Sequence, residues 1–135
     1  MYYTKGLIQM IVNVLLVALG GGIGAVTRYA VSLWAAARLG TSFPYGTFIA
    51  NVVGCFIIGI FMTIVTEKFI ANSYWRLLIT TGFLGGFTTF SSYSYETFKL
   101  LENTGINAAF YNIAANLISG LLATWLGIKA IRILF

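Results

Sequence analysis

The sequence predicts an all-α integral membrane protein with four transmembrane helices, the third of them broken. Three observations lead there. Hydrophobic residues make up 59% of the chain and charged residues only 8%, whereas a soluble domain carries about a quarter charged residues. The mean hydropathy is +0.91. The apolar residues fall in four long stretches with short polar breaks between them, each reaching the roughly 20 residues a spanning helix needs. So few charges cannot clothe a water-soluble globule, so the outer surface faces lipid. The links are too short to hold a further unit, so residues 1–135 form a single four-helix transmembrane domain.

The first stretch covers residues 7–37, is interrupted by Arg28, and closes at Arg38-Leu39-Gly40-Thr41-Ser42. Lys5 followed by an apolar run has the outline of a signal peptide, but the run continues past Gly24 without a cleavage signal or a polar domain behind it. It therefore reads as the first membrane helix. Pro44, the only proline, suits the first turn of the second helix, over 45–66, which ends at Glu67-Lys68. The third covers 75–101, with Asn72-Ser73 as its N-cap. The fourth covers 107–134, after the turn Glu102-Asn103-Thr104-Gly105.

Eight Lys and Arg against three acids give a formal charge of +5. The basic residues are scattered, which argues against a nucleic-acid surface and for anchoring of helix ends at the headgroups. With four spans, one side of the membrane collects Lys5, Lys68, Arg76, Lys129 and Arg132, and the other Arg38, Lys99 and, near that end, Arg28. This is a modest bias toward a cytoplasmic N-terminus, weak enough for insertion in both orientations.

Histidine is absent and Cys55 is the only cysteine. No intrachain disulfide is possible, the usual transition-metal sites are nearly excluded, and His-dependent nucleophile arrangements are excluded outright.

The residues that remain to carry function lie within the spans. Gly20-Gly21-Gly22-Ile23-Gly24-Ala25 contains small-xxx-small pairs for close helix approach, and lacks the Gly-Lys-Ser/Thr ending of a phosphate loop. Arg28 is a charge inside an apolar stretch, which either snorkels to an interface or serves a site. Asn51 places a lone amide at membrane depth, as interhelical glue or as pore lining. In the third span, Gly82, Gly85 and Gly86 are poor helix interior and predict a break near Gly85-Gly86 that frees backbone carbonyls. Hydroxyls and aromatic rings then alternate from Thr88 to Tyr95. Hydroxyls donate to anions and ring edges carry positive potential, so together they replace the hydration shell of a small anion without a fixed charge. The bland reading of the same residues is a packed helix whose hydroxyls bond its own carbonyls. On the fourth span Asn112, Asn116 and Ser119 share a narrow face, with Thr124 further round, as a polar stripe turned away from lipid.

The run Gly82-Phe83-Leu84-Gly85-Gly86-Phe87-Thr88-Thr89-Phe90-Ser91 resembles the signature of the bacterial fluoride channels called Fluc or CrcB. The glycine-rich first helix ending in Arg28, Gly46-Thr47-x-x-x-Asn51 and Glu96 also match, and the likeness covers the whole chain. The resemblance implies passive, fluoride-selective export across the cytoplasmic membrane by an antiparallel, dual-topology homodimer. It also implies a structural sodium ion held by the backbone carbonyls of Gly85 and Thr88 from both subunits. By the same likeness, the pore aromatics fall on Phe90 and Tyr93, the second departing from the usual Phe, and the pore amide on Asn51. Ser91 and Ser92 match a hydroxyl track, as do Asn116 and Thr124, while Gly120 stands where a serine is common. Arg28 and Glu96 match family positions as pore-mouth or structural charges.

No bond is made or broken in such conduction, so no enzyme is expected. The rival class is a small proton-coupled multidrug exporter, which also has four helices and dual topology. It needs a membrane-embedded carboxylate, and the three glutamates here are expected near helix ends. A non-transporting scaffold needs no polar stripe beside a broken helix.

Overall fold

The computed structural model describes residues 2–67 and 73–135, and the elements within them are all helical. Lys68 and Asn72, named above as an orientation charge and part of a cap, lie outside the described residues.

Helix α1 (Tyr2–Leu39) runs 38 residues without interruption, straight through the glycine run. It stops at Gly40, whose φ of +83° is the left-handed conformation that glycine adopts without penalty. The Gly40 N–H closes the end by donating to the Ala36 carbonyl at 3.1 Å. Helix α2 (Tyr45–Glu67) starts immediately after Pro44, whose carbonyl accepts from the Phe48 N–H at 3.0 Å.

The third stretch is discontinuous. A short helix α3 (Ser73–Arg76) runs into a π-helical segment, Leu77–Leu84, and then into α4 (Gly85–Phe87). Thr88 and Thr89 are extended, with φ/ψ of −83°/158° and −153°/120°. Helix α5 (Phe90–Asn103) resumes beyond them, and Gly105 at φ +109° leads into α6 (Ile106–Leu134).

The interruption thus falls at Thr88-Thr89 and not at Gly85-Gly86. Gly86 stays helical because it serves packing: an added Cβ there would stand 3.0 Å from the Gly21 Cα. A Cβ on Gly82 would stand 2.9 Å from the Gly20 Cα, and one on Gly24 would stand 2.9 Å from the Phe87 nitrogen. In lipid no hydrophobic effect draws helices together, so backbone-to-backbone approach of this kind supplies the attraction. It outweighs the roughly 1 kcal/mol helix-propensity cost of each glycine. The same device joins α2 to α6, where a Cβ on Gly127 would lie 3.0 Å from the Ile60 nitrogen.

The distribution of polarity is inverted relative to a soluble protein. Leu19, Ile23 and Val26 on α1 and Leu117, Leu121 and Trp125 on α6 point outward, while the largest fully buried side chain among the described residues is Asn112. Thr47, Thr63 and Thr89 are buried too. Helices α1, α2 and α6 are each long and apolar enough to cross a bilayer. The broken stretch packs its first half on α1 and its second half on α6.

Candidate functional site

The site is organised by the loss of one helical hydrogen bond. In an unbroken helix the Thr89 N–H would donate to the Gly85 carbonyl, four residues back. It donates instead to Asn51 Oδ1 on α2, at 2.9 Å. The donor that would have covered Gly85's carbonyl is therefore engaged elsewhere. Thr89 also opens the next helix: its Oγ1 accepts from the Ser92 N–H at 3.1 Å, an N-cap. Its hydroxyl donates to Ser92 Oγ at 3.1 Å and lies 3.3 Å from Ser91 Oγ. Thr88 closes the previous segment, with its N–H at 3.0 Å and its hydroxyl at 2.9 Å from the Leu84 carbonyl.

Asn51 joins three elements. Besides accepting from Thr89, its Nδ2 donates to the Thr89 carbonyl and to Asn116 Oδ1 on α6, both at 3.3 Å. Asn116 Nδ2 in turn donates to the main-chain and side-chain oxygens of Asn112, both at 3.0 Å.

Beside this amide cluster lies a groove of about 540 Å³. Asn51, Asn116, Gly85, Thr88, Phe90 and Tyr93 all border it. The structure therefore brings together two amides, two aromatic rings and the two residues named for their carbonyls. Phe90 is 79% exposed, and its ring lies 5.6 Å from that of Tyr93, tilted by 50°. Cys55, Gly54 and Ile58 give the groove an apolar floor from α2.

Other expected positions fall elsewhere. Ser91, Ser92 and Thr124 do not border the groove. The serines cluster around the cap of α5. The Thr124 hydroxyl contacts the carbonyls of Cys55 and Gly120, both at 3.1 Å, and so ties α6 to α2. Arg28 is half-buried and forms no ion pair or hydrogen bond among the described residues. Glu96 stands in the middle of α5, not near a helix end as the sequence suggested. Its Oε1 accepts from the Thr47 hydroxyl at 2.9 Å, and its Oε2 is buried without a partner. A second cavity of about 440 Å³ lies on that side, between the α1–α2 turn and α5, and includes Glu96, Thr47 and Ser32.

Three residues outside the expected site set hold it together: Thr89, which borders the groove and was read only as part of the hydroxyl and aromatic run, Asn112, read only as part of the polar stripe, and Thr97. The Thr89-x-x-Ser92 spacing is an N-cap signal that would have located the break. Nothing local marks Thr97, whose role depends on the approach of α6. Among the described residues no three His, Cys, Asp or Glu side chains converge.

A family profile described as "CrcB-like protein, Camphor Resistance (CrcB)" matches residues 15–128. A protein of Acidobacterium capsulatum named "Fluoride-specific ion channel FluC" is 47% identical over 111 residues, covering 82% of this chain and 89% of its own. One of the same name from Rhizobium etli is 47% identical over 123 residues, covering 91% and 98%. Another from Clostridium perfringens is 44% identical over 127 residues, covering 94% and 99%. Identity at this level over nearly the full length, together with long apolar helices, makes this a multi-pass membrane protein. On the profile match and on these relatives, the chain belongs to the CrcB-like family.

Proposed function

We propose that this chain forms a passive, fluoride-selective ion channel of the cytoplasmic membrane, through which a cell loses toxic fluoride. The observation that carries this reading is the groove beside Thr88-Thr89, where two amides and two aromatic rings meet without any fixed charge. Relatives sharing close to half their residues with this chain bear the name of fluoride-specific channels.

A fluoride ion holds its water tightly, so a dry path has to offer donors in place of that water. Both Asn51 Nδ2 bonds are 3.3 Å long, against 2.8 to 3.0 Å for the other amide bonds of the cluster. An anion at the groove takes over these two weakly used N–H groups at little cost, while the short bonds keep the cluster in place. Phe90 and Tyr93 add the positive edges of their rings. No covalent step is involved, so the chain is not an enzyme.

The full channel in this reading is a homodimer of four-span subunits in opposite orientations. Ser73–Asn103 supplies the remaining span as two half-helices joined at Thr88-Thr89. Support comes from the small charge bias across the membrane and from the 79% exposure of Phe90, a ring that a second copy would cover. A sodium ion sits at the subunit junction, held by the carbonyls of Gly85 and Thr88. Gly85's carbonyl has lost its helical donor to Asn51, and unwound backbone oxygens of this kind suit an alkali cation.

Purified protein in liposomes loaded with fluoride or chloride tests the function directly. Fluoride is expected to leave rapidly and chloride to stay, and equal loss of both refutes the proposal. A reporter fused to the C-terminus should appear on both sides of the membrane, and a single orientation would remove the dual-topology component. Exchange of sodium for a large organic cation should weaken the dimer on size exclusion, and an indifferent dimer would remove the sodium.

A further inference from the structure

Among the described residues Asn112 is the largest side chain with no solvent exposure, and it borders neither cavity. Such a burial is costly unless the amide is bonded, and Asn112 is bonded on both sides. Its Nδ2 donates to Thr97 Oγ1 at 2.8 Å, and its Oδ1 accepts from Asn116 Nδ2 at 3.0 Å. The Thr97 hydroxyl spends its single proton on the Tyr93 carbonyl at 2.7 Å, so toward Asn112 it is purely an acceptor.

We infer that Asn112 is a positioning residue for the anion groove: with Thr97 it sets which way the amides of Asn116 and Asn51 face. The inference rests on the channel reading above and adds to it residues outside the groove.

The reasoning follows the protons. Because Thr97 offers only lone pairs, Asn112 must turn its Nδ2 toward α5 and its Oδ1 toward Asn116. Asn116 must then present Nδ2 to Asn112, where the main-chain carbonyl at 3.0 Å favours the same orientation. That leaves Asn116 Oδ1 facing α2, which requires Nδ2 from Asn51. Asn51 is left with Oδ1 toward the break, the acceptor that holds the Thr89 N–H at 2.9 Å. Turn one amide over and each neighbour meets donor with donor or acceptor with acceptor, ending with Asn51 Nδ2 against the Thr89 N–H. Direction at Thr97 is thereby passed across three asparagines to the peptide that interrupts the third stretch. The relay acts with the N–H and carbonyl of Thr89, which bond Asn51 in the same sense, to keep a donor, rather than a carbonyl oxygen, available where an anion would sit.

Asn112→Leu and Thr97→Val keep volume and remove the relay from two ends, without touching a groove-lining residue. Hydrogen exchange at the Thr89 amide reads the relay without any ion. Exchange should rise by about tenfold in Asn112→Leu, the scale on which one buried hydrogen bond weighs. It should rise by a smaller factor in Thr97→Val. Liposome efflux reads the consequence. Fluoride flux should fall and the fluoride-to-chloride ratio should narrow in each variant, and the double variant should be no worse than Asn112→Leu alone. Unchanged Thr89 exchange overturns the inference, as do losses of flux that multiply in the double variant. If Asn112→Leu does not fold, Thr97→Val alone decides by the same exchange measurement and selectivity ratio. A wild-type protein that conducts no fluoride would strike the channel reading, while Thr89 exchange would still judge the relay.

Discussion

Two glycines separated by one residue on α1 should respond in opposite senses to the same substitution. Gly24 lies where α1 meets α4: an added Cβ would stand 2.9 Å from the Phe87 nitrogen and 3.0 Å from the Phe83 carbonyl carbon, and it would press on the Phe83 oxygen more closely still. Carbon normally keeps about 3.5 Å or more from such atoms. Every one of these neighbours is backbone, so nothing small can swing aside and the helices must part by about an ångström or more. Overpacking of this order costs about 1–3 kcal/mol. Gly22 faces open space, with nothing within 4 Å of its added Cβ. Both variants gain the same helix propensity, up to about 1 kcal/mol. The difference between Gly22→Ala and Gly24→Ala is therefore the packing cost alone. Reversible unfolding of the detergent-solubilised protein measures it, with Gly22→Ala at or above wild type and Gly24→Ala about 1–3 kcal/mol below its companion. Equal stability of the two variants would refute the claim that backbone contact, and not side-chain packing, holds α1 to the broken stretch.

Asn51→Leu leaves the Thr89 N–H without its acceptor, which should cost about 1–3 kcal/mol in the same unfolding measurement and abolish fluoride efflux. Phe90→Ala should stop efflux while circular dichroism and the protomer's thermal midpoint stay at wild-type values, because a ring 79% exposed in the protomer contributes little to its folding. Glu67→Gln should leave efflux and the thermal midpoint at wild-type values in high salt, since its bond from Arg132 Nε, at 3.0 Å, lies at an exposed end of α2.

Much of the architecture is written in hydrophobic runs. The starts and stops of α2 and α6 follow from Pro44, from Glu67 and from the turn before Ile106. The position of the break was not legible from glycine content, because glycine has two uses. Gly82 and Gly86 weaken a helix but also admit a second backbone, and against α1 the second use prevails. Thr88-Thr89 breaks the helix through competition: Asn51, from a helix more than thirty positions earlier, offers the Thr89 N–H a better acceptor than Gly85 does. No local pattern records that partnership. Likewise Thr124 and Asn112 looked like members of one polar stripe, whereas the crossing of α6 with α2 and α5 splits their roles into a tie and a relay. Glu96 was misplaced for the same reason as the break. Once the helix restarts at Phe90, the glutamate falls mid-element instead of at an end.

The length of α1 has a consequence for where its charges live. At about 1.5 Å per residue, its 38 residues extend roughly 57 Å, well beyond a hydrocarbon layer of about 30 Å. Its waist, at Gly20 to Gly24, is clamped to the broken stretch near the middle of the rod, so the excess is shared between both tips. Lys5 and Arg38 therefore emerge beyond the acyl chains whatever the thickness of the host bilayer, and lipid composition will be felt as a change in lean rather than in depth. Arg28, only about 10 Å along the axis from that clamp, has its backbone within the apolar layer and reaches water only by extending its side chain along the helix.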